Sequence, residues 1–232
     1  VIARKIAQAT EVSVIPATET LAPGVPGEEA ALAFAAAHGY PIMIKAVSGG
    51  GGRGIRQVGD RDSLLTGLKR SRSEALMSFG DDNIYLEKCV HRPRHVEVQI
   101  LADSYGNVVH LGTRNCSIQR RHQKLVEIAP AGLEPALTAE ICDAAVRVVR
   151  AAEYLSAGTV EFLVEADGTY YFLEVNTRLQ VEHTVTEVVT GIDIVREQFL
   201  IAMGEPISFS QEQVAERGFA IELRINAEDP KN

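Results

Sequence analysis

Residues 158–176 read GTVEFLVEADGTYYFLEVN, and this stretch decides the fold of the chain. The Asp167-Gly168 pair stands between two apolar-rich runs, which is among the strongest sequence signals for a β-hairpin. If these two residues form the whole loop, counting outward along both strands places Glu161 opposite Glu174. Like charges at directly opposed positions destabilise a sheet, so the pair indicates a cation between the carboxylates or a raised carboxyl pKa.

A third polar side chain belongs to the same face of this hairpin. Asn176 lies two residues beyond Glu174, and side chains two apart along a strand point the same way. Two carboxylates and an amide oxygen form a hard, oxygen-only donor set, which predicts a magnesium or manganese site. The alternative is a solvated polar face without an ion, although the apolar residues of both strands favour a buried hairpin.

Composition limits the class of protein. Hydrophobic residues make up 46% and charged residues 23% of the 232 residues, which is an ordinary globular mixture. The net charge of −8 argues against a dedicated nucleic-acid binder, and no apolar run reaches the ~20 residues of a membrane span. Three cysteines without a C-x-x-C motif favour neither zinc nor disulfides and indicate a reducing, cytoplasmic compartment.

The order of predicted elements favours the α+β class, because strands and helices do not alternate as βαβ units. Residues 1–16 read as a helix and a strand that lead into the fold. Residues 17–88 read as a small α+β lid, and residues 89–232 as a larger core with longer antiparallel strands. In the first long strand, HVEVQIL, apolar Val96, Val98 and Ile100 alternate with polar His95, Glu97 and Gln99.

A glycine-rich loop, SGGGGRG at residues 48–54, follows the apolar strand PIMIKA. Glycines let backbone N–H groups approach a phosphate, although the Gly-Lys-Ser/Thr ending of a Walker A loop is missing. The alternative is a flexible surface loop. Lys45 favours phosphate binding, because a lysine buried in an apolar strand needs an anionic partner and a nucleotide could supply it.

Two further polar segments are candidate sites. Residues 116–124, CSIQRRHQK, concentrate hydrogen-bond donors in an acidic chain, and the alternative is a solvated charged loop. Residues 176–183, NTRLQVEH, follow the hairpin. Arg178 there can clamp a small planar oxyanion and Glu182 can serve as a general base, whereas the alternative is a turn of chance polarity.

The chain resembles biotin carboxylase, the ATP-grasp component of acetyl-CoA, propionyl-CoA and pyruvate carboxylases. The resemblance runs from end to end, and its most specific parts are RNCSIQRRHQK at 114–124 and FLEVNTRLQVEH at 172–183. KAVSGGGGRG, EKCV, PRHVEVQ, GTVEFL and ELRINAEDP also match. The resemblance implies ATP- and bicarbonate-dependent carboxylation of biotin on a carrier, through carboxyphosphate.

The resemblance also implies a role for each matching residue. The nucleotide is assigned to Lys45, Gly50, Gly51, Gly52, Gly54, Glu87, Lys88, His95, Gln119 and His122. Magnesium or manganese is assigned to Glu161, Glu174 and Asn176, and bicarbonate to Arg178, Gln180 and the backbone of Val181, with Lys124 nearby. Glu182 is expected to deprotonate bicarbonate, and Arg224 to stabilise the biotin enolate.

The expected partners are a biotinyl carrier, a carboxyltransferase and, at full length, a second copy. Biotin carboxylases carry a further phosphate-binding lysine just before the position of Val1, and they continue beyond Asn232. We therefore expect the chain to be a central fragment that turns over weakly or not at all. The alternatives are another carboxyphosphate-forming ATP-grasp ligase, such as a carbamoyl-phosphate synthetase, and a non-catalytic nucleotide-binding or assembly module.

Overall fold

The structure is a computed structural model that describes residues 2–49, 53–121, 123–225 and 227. Its helices are α1 (Ile2–Ala9), α2 (Val25–His38), α3 (Arg61–Phe79), α4 (Pro135–Ala151), α5 (His183–Thr190) and α6 (Ile194–Ala202). Its strands are β1 (Ile42–Ala46), β2 (Ile55–Val58), β3 (Ile84–Lys88), β4 (Arg94–Ala102), β5 (Val108–Arg120), β6 (Gln123–Ala129), β7 (Ser156–Val164), β8 (Tyr170–Asn176) and β9 (Ala220–Leu223).

The chain forms two compact units, each with its own antiparallel sheet. The smaller unit is Ile15–His91, which includes residues 17–88, and the role of these residues as a lid stays a prediction. The larger unit contains residues up to Val14 together with residues from Arg92 onward, so α1 groups with it. The α+β class is confirmed. Among the described residues, no helix combines the length and the apolar character that crossing a bilayer requires.

In the smaller unit, α3 packs on a sheet with the order β2-β1-β3. Helix α3 begins after Asp60, whose side chain accepts a hydrogen bond from the backbone of Ser63 and caps the helix. At Gly67 the helix approaches the sheet closely, because a Cβ there would lie 2.8 Å from Cδ1 of Ile44. Leu64, Leu68 and the strand residues beneath them are buried and form a separate core.

The larger unit is built on a six-stranded sheet with the order β8-β7-β4-β5-β6-β9. Val96, Val98 and Ile100 of β4 pack against α4 in the main core. The alternate residues of β4 point to the opposite face, where α5 and α6 lie against the sheet. Glu97 and Gln99 are therefore buried polar residues on the α5 side.

The hairpin of β7 and β8 has a longer loop than the sequence predicted. Glu165 and Thr169 close a three-residue loop, with a hydrogen bond from the Glu165 N–H to the Thr169 carbonyl, and Gly168 has φ of 89°. This loop alone would place Glu161 opposite Leu173. A β-bulge between the Glu161 and Phe162 positions shifts the register by one residue, so Glu161 does pair with Glu174.

The donor-rich segment belongs mainly to the six-stranded sheet. Most of the donor-rich segment at 116–124 lies on β5 and β6, not in a loop, because the two strands pair closely up to Arg120 and Gln123. Ser210 is followed by a 3-10 turn, Gln211–Gln213. The last described strand is Ala220–Leu223.

Candidate functional site

A row of four charged residues crosses the sheet of the larger unit. The strand registers place Glu174 opposite Glu161, Glu161 opposite Glu97, and Glu97 opposite Arg114. Directly opposed residues share a face of a sheet. Three carboxylates and one guanidinium are thus adjacent on the α5 side, where all except Glu174 are buried.

Lys124 is the cation that joins the buried carboxylates. Its Nζ lies 2.5 Å from Glu97 Oε2, 2.8 Å from Glu161 Oε1 and 2.6 Å from Glu182 Oε1. Burial lowers the pKa of this amine, but the three negative charges outweigh that effect and raise the pKa above its ordinary value. Lys124 is therefore a fixed positive charge in the middle of the site.

Glu161 receives four contacts. Lys124 is the first of these. Asn176 Nδ2 and Gln180 Nε2 both donate hydrogen bonds to Oε1, at 2.8 Å and 3.1 Å. His95 Nε2 lies 2.7 Å from Oε2. Burial opposes ionisation, but the contacts with His95 and Lys124 outweigh it and hold the pKa of Glu161 far below its ordinary value. Within the described residues, the charge of Glu161 is compensated by protein groups.

Glu182 stands immediately before α5 and is held between two cations. Lys124 contacts its Oε1, and Arg224 Nη2 donates to its Oε2 at 2.6 Å. Burial raises the pKa of this carboxyl, but Lys124 more than compensates, so the pKa is lower than usual. Glu182 is therefore ionised at neutral pH, with a cation on each oxygen.

Arg114 anchors the other end of this cluster without any exposure to solvent. Its Nε donates to Glu97 Oε1 at 2.5 Å, and its Nη1 donates to Gln99 at 2.8 Å and to Thr186 at 3.0 Å. These partners come from β4 and α5. The guanidinium thereby ties the helix to the sheet beside Lys124.

The predicted metal-binding residues form a donor set that fits a hard divalent cation. Partial desolvation and then the negative charge of Glu161 raise the pKa of Glu174, although that side chain reaches solvent. A cation beside Glu174 and Glu161 would relieve this repulsion, and Asn176 adds an amide group next to them. A second close group of potential ligand atoms consists of His95, Glu97 and Glu161.

Residues predicted to bind bicarbonate are brought near this cluster to different extents. Gln180 is buried and contacts Glu161. Arg178 is exposed and donates only to the adjacent carbonyl of Leu179 among the described residues, and the side chain of Val181 is exposed.

Gln119 Nε2 lies 2.9 Å from Nδ1 of His95, so these two predicted nucleotide-binding residues are in contact.

In the smaller unit, Lys45 has an anionic partner within the protein. Its ammonium group pairs with Glu87 across β1 and β3. Glu87 thus supplies an anionic partner for Lys45, and Lys45 and Glu87 as nucleotide ligands stay a prediction. Lys88 ends β3 and is half-buried.

The glycine-rich loop is described only at its ends. Gly54 has φ of 75°, and a Cβ there would lie 2.9 Å from Cβ of Ala46, so only glycine fits. The remaining predicted ligands Gly50, Gly51, Gly52 and His122 lie outside the described residues.

Sequence reasoning missed three buried charged residues of this site, which are Glu97, Arg114 and Glu127. Glu97 was on the polar side of the alternating strand, so its position was visible. Its partner Arg114 comes from the next strand, and the register of that pairing was not predicted. Glu127 sits on β6 with its Oε1 2.8 Å from Arg224 Nε.

The chain is similar to known proteins along most of its length. Residues 1–210 match the family described as carbamoyl-phosphate synthase L chain, ATP binding domain. A biotin carboxylase from Nostoc sp. is 50% identical over 229 residues, which cover 98% of this chain and 51% of the relative. The chain spans about half the length of the curated biotin carboxylases that it matches.

Two solved structures share the fold. A biotin carboxylase–ATP complex from Campylobacter jejuni superposes with a TM-score of 0.91 at 45% identity, covering 99% of this chain and 51% of that one. The biotin carboxylase domain dimer of a Hydrogenobacter thermophilus 2-oxoglutarate carboxylase, with MgADP, ADP and bicarbonate, gives 0.89 at 45% identity, covering 98% and 50%. The resemblance to biotin carboxylase and the ATP-grasp fold are thereby confirmed.

Proposed function

Because the chain belongs to the carbamoyl-phosphate synthase L chain ATP-binding domain family, we propose that it carries out ATP- and bicarbonate-dependent carboxylation of biotin through carboxyphosphate. The observation that carries this proposal is the position of Glu182, a buried carboxylate held between Lys124 and Arg224. Phosphoryl transfer requires positioning and charge neutralisation more than covalent catalysis. Lys124 and Arg224 would supply both next to Glu182, the proposed proton acceptor.

The nucleotide and its metal ion would be bound by separate sets of residues. Glu161, Glu174 and Asn176 would hold magnesium or manganese, which neutralises phosphate charge when it is bound. Lys45 would exchange part of its interaction with Glu87 for a phosphate oxygen. The remaining nucleotide ligands in this proposal are Gly50, Gly51, Gly52, Gly54, Lys88, His95, Gln119 and His122.

Bicarbonate would be held by Arg178, Gln180 and the Val181 backbone, beside Lys124. In the arrangement seen here Glu182 is a weak base, because Lys124 keeps its pKa low. An anionic substrate next to Lys124 shares that positive charge, so the proton affinity of Glu182 rises. Glu182 would then accept the bicarbonate proton, and a carbonate oxygen would attack the γ-phosphorus of ATP, so that the bond to the β,γ-bridging oxygen breaks, ADP leaves and carboxyphosphate forms.

Arg224 would act in the second half of the reaction, on biotin. Its guanidinium is partly exposed, so a negatively charged enolate oxygen of biotin could be stabilised there by hydrogen bonds. The proposed partners are a biotinyl carrier, a carboxyltransferase and a second copy of the chain. The proposed compartment is the reducing cytoplasm, which agrees with three free cysteines.

The test is a steady-state assay of ADP release by the full-length protein that contains these residues. We expect ADP release to require bicarbonate and to increase with free biotin. Replacement of Glu182 by Gln should lower the bicarbonate-dependent rate by about 100-fold or more, because the proton acceptor is removed. The exposed Glu205, replaced by Gln, is the matched control and should keep the wild-type rate.

Other outcomes would support other functions. Magnesium-dependent ATP binding without cleavage would identify a nucleotide-binding module. Bicarbonate-dependent cleavage that ignores biotin but produces carbamoyl phosphate from ammonia would identify a carbamoyl-phosphate synthetase.

A further inference from the structure

Glu127 is a buried carboxylate that the proposed mechanism does not use. It lies on β6 with no exposure to solvent, and its register partner on β9 is Glu222. Its Oε1 is 2.8 Å from Nε of Arg224. Within the part of the chain that the structure describes, the two carboxylate oxygens of Glu127 and Nε of Arg224 make no hydrogen bond, so this contact is an ion pair.

Burial of such a group is expensive. An ionised carboxylate withdrawn from water loses much of its hydration free energy, which one ion pair compensates only partly. Burial accordingly raises the pKa of Glu127 despite the nearby guanidinium. A residue that serves stability alone would be better replaced by an apolar side chain at this position, so the interaction with Arg224 needs a functional explanation.

Arg224 is held from two sides. Its Nε faces Glu127, its Nη2 donates to Glu182 at 2.6 Å, and its backbone N–H donates to the Leu125 carbonyl at 3.0 Å. A guanidinium is planar, so contacts to two of its nitrogens fix the direction of the whole group. With Glu182 as its only carboxylate partner, the group could rotate about that contact.

We propose that Glu127 is a positioning residue, which orients the Arg224 guanidinium toward the biotin step and divides its charge between two carboxylates. This inference rests on the proposed function, because it assigns Glu127 to the half of the reaction in which Arg224 acts. Lys124 belongs to the ATP and bicarbonate half, and within the described residues it makes no ion pair with Glu127, whereas Glu182 contacts both Lys124 and Arg224.

The kinetic test compares Glu127→Gln with wild type in the full-length protein. We expect biotin-stimulated ATP cleavage to fall about tenfold and biotin-independent cleavage to fall less than about threefold, because Lys124 still holds Glu182 when Arg224 is turned. The control is Glu222→Gln, which removes the same charge from the same face of the sheet. Glu222 contacts Thr184 and not Arg224, so both rates should stay at the wild-type level.

A second measurement does not depend on activity. In ¹⁵N-arginine-labelled protein, the Nε–Hε signal of Arg224 can be assigned by its loss in Arg224→Lys. We expect its exchange with water to accelerate about tenfold in Glu127→Gln and to stay unchanged in Glu222→Gln. Glu127→Asp keeps the charge with a shorter reach and should give intermediate exchange, which provides a second variant if Gln impairs folding.

The results separate the two proposals. If wild type shows no bicarbonate-dependent ATP cleavage, the proposed function fails and the exchange measurement alone decides the role of Glu127. Equal loss of both rates in Glu127→Gln, or an Arg224 signal that exchanges as in wild type, would overturn the positioning role.

Discussion

At the scale of single residues, Lys124 is the cation that joins the buried carboxylates of this site. Three buried or nearly buried carboxylates, Glu97, Glu161 and Glu182, share its ammonium group. The ion pairs are short and shielded from water, so they differ from surface salt bridges in their contribution to stability.

Lys124→Met tests this dependence. The variant leaves three carboxylates without their common cation, and we expect the free energy of unfolding to fall by about 3–5 kcal/mol. Urea denaturation followed by circular dichroism measures the change. Lys69→Met is the control, because Lys69 is exposed and reaches Glu28 only at 3.6 Å, and it should change stability by less than about 0.5 kcal/mol. Equal effects in both variants would contradict the central role of Lys124.

Glu161 should make the fold sensitive to acid. Its folded-state pKa lies below the ordinary value of 4.5, so the ionised form is favoured in the folded state. Its contribution to stability is complete above that value and is lost as the pH falls through the lower folded-state pKa.

We therefore expect wild type to be more stable than Glu161→Gln at neutral pH, and the difference to shrink from about pH 5 downward. Thermal unfolding of both proteins from neutral pH to about pH 3 measures this difference. A gap that stays constant over the whole range would show that ionisation of Glu161 contributes nothing.

At the scale of elements, the β7–β8 hairpin has two departures from the predicted pairing, a longer loop and a β-bulge. Their shifts in register cancel. The three-residue loop shifts the pairing by one residue, and the bulge shifts it back before Glu161 meets Glu174. A bulge also turns the side chains beside it, so it affects the direction of Glu174 as well as the register.

Two single-residue deletions distinguish these contributions. Deletion of Ala166 leaves Asp167-Gly168 as a two-residue loop between Glu165 and Thr169, and we expect the fold and Mn²⁺ affinity to be retained. Deletion of Leu173 removes the bulge but keeps the pairing, and we expect Mn²⁺ affinity to fall about tenfold because Glu174 is turned away. Titration followed by Mn²⁺ relaxation enhancement measures both. Equal affinity in the two variants would mean that the bulge has no part in metal binding.

At the scale of the whole molecule, the two units have separate hydrophobic cores. Leu64 is fully buried in the core of the smaller unit and Ile141 in the main core of the larger one. Each core is formed by elements of one unit. A cavity made in one core should therefore destabilise the unit that contains it more than the other unit.

Leu64→Ala should lower stability by about 2–5 kcal/mol within the smaller unit. Hydrogen exchange should then accelerate in Ile15–His91 and stay near wild type in the larger unit. Ile141→Ala should produce the converse pattern, with faster exchange in β4, β5 and α4. Acceleration across the whole chain by either variant would show that the units unfold together.

The sequence by itself determined the α+β class, the hairpin that carries Glu161 and Glu174, and the family motifs. These features rest on strand periodicity, turn residues and short segments, which are local properties of the chain. The correct pairing of the two glutamates nevertheless depended on a bulge that no local pattern indicated.

Only the tertiary structure decided which charges meet. Lys124 is 58 residues from Glu182, and Arg224 is 42 residues from the same carboxylate. Arg114 and Glu127 entered the site because strand registers and the packing of α5 brought them there. Pairing between distant strands depends on the sum of many contacts across the sheet, so the identity of buried ion pairs cannot be read from one segment.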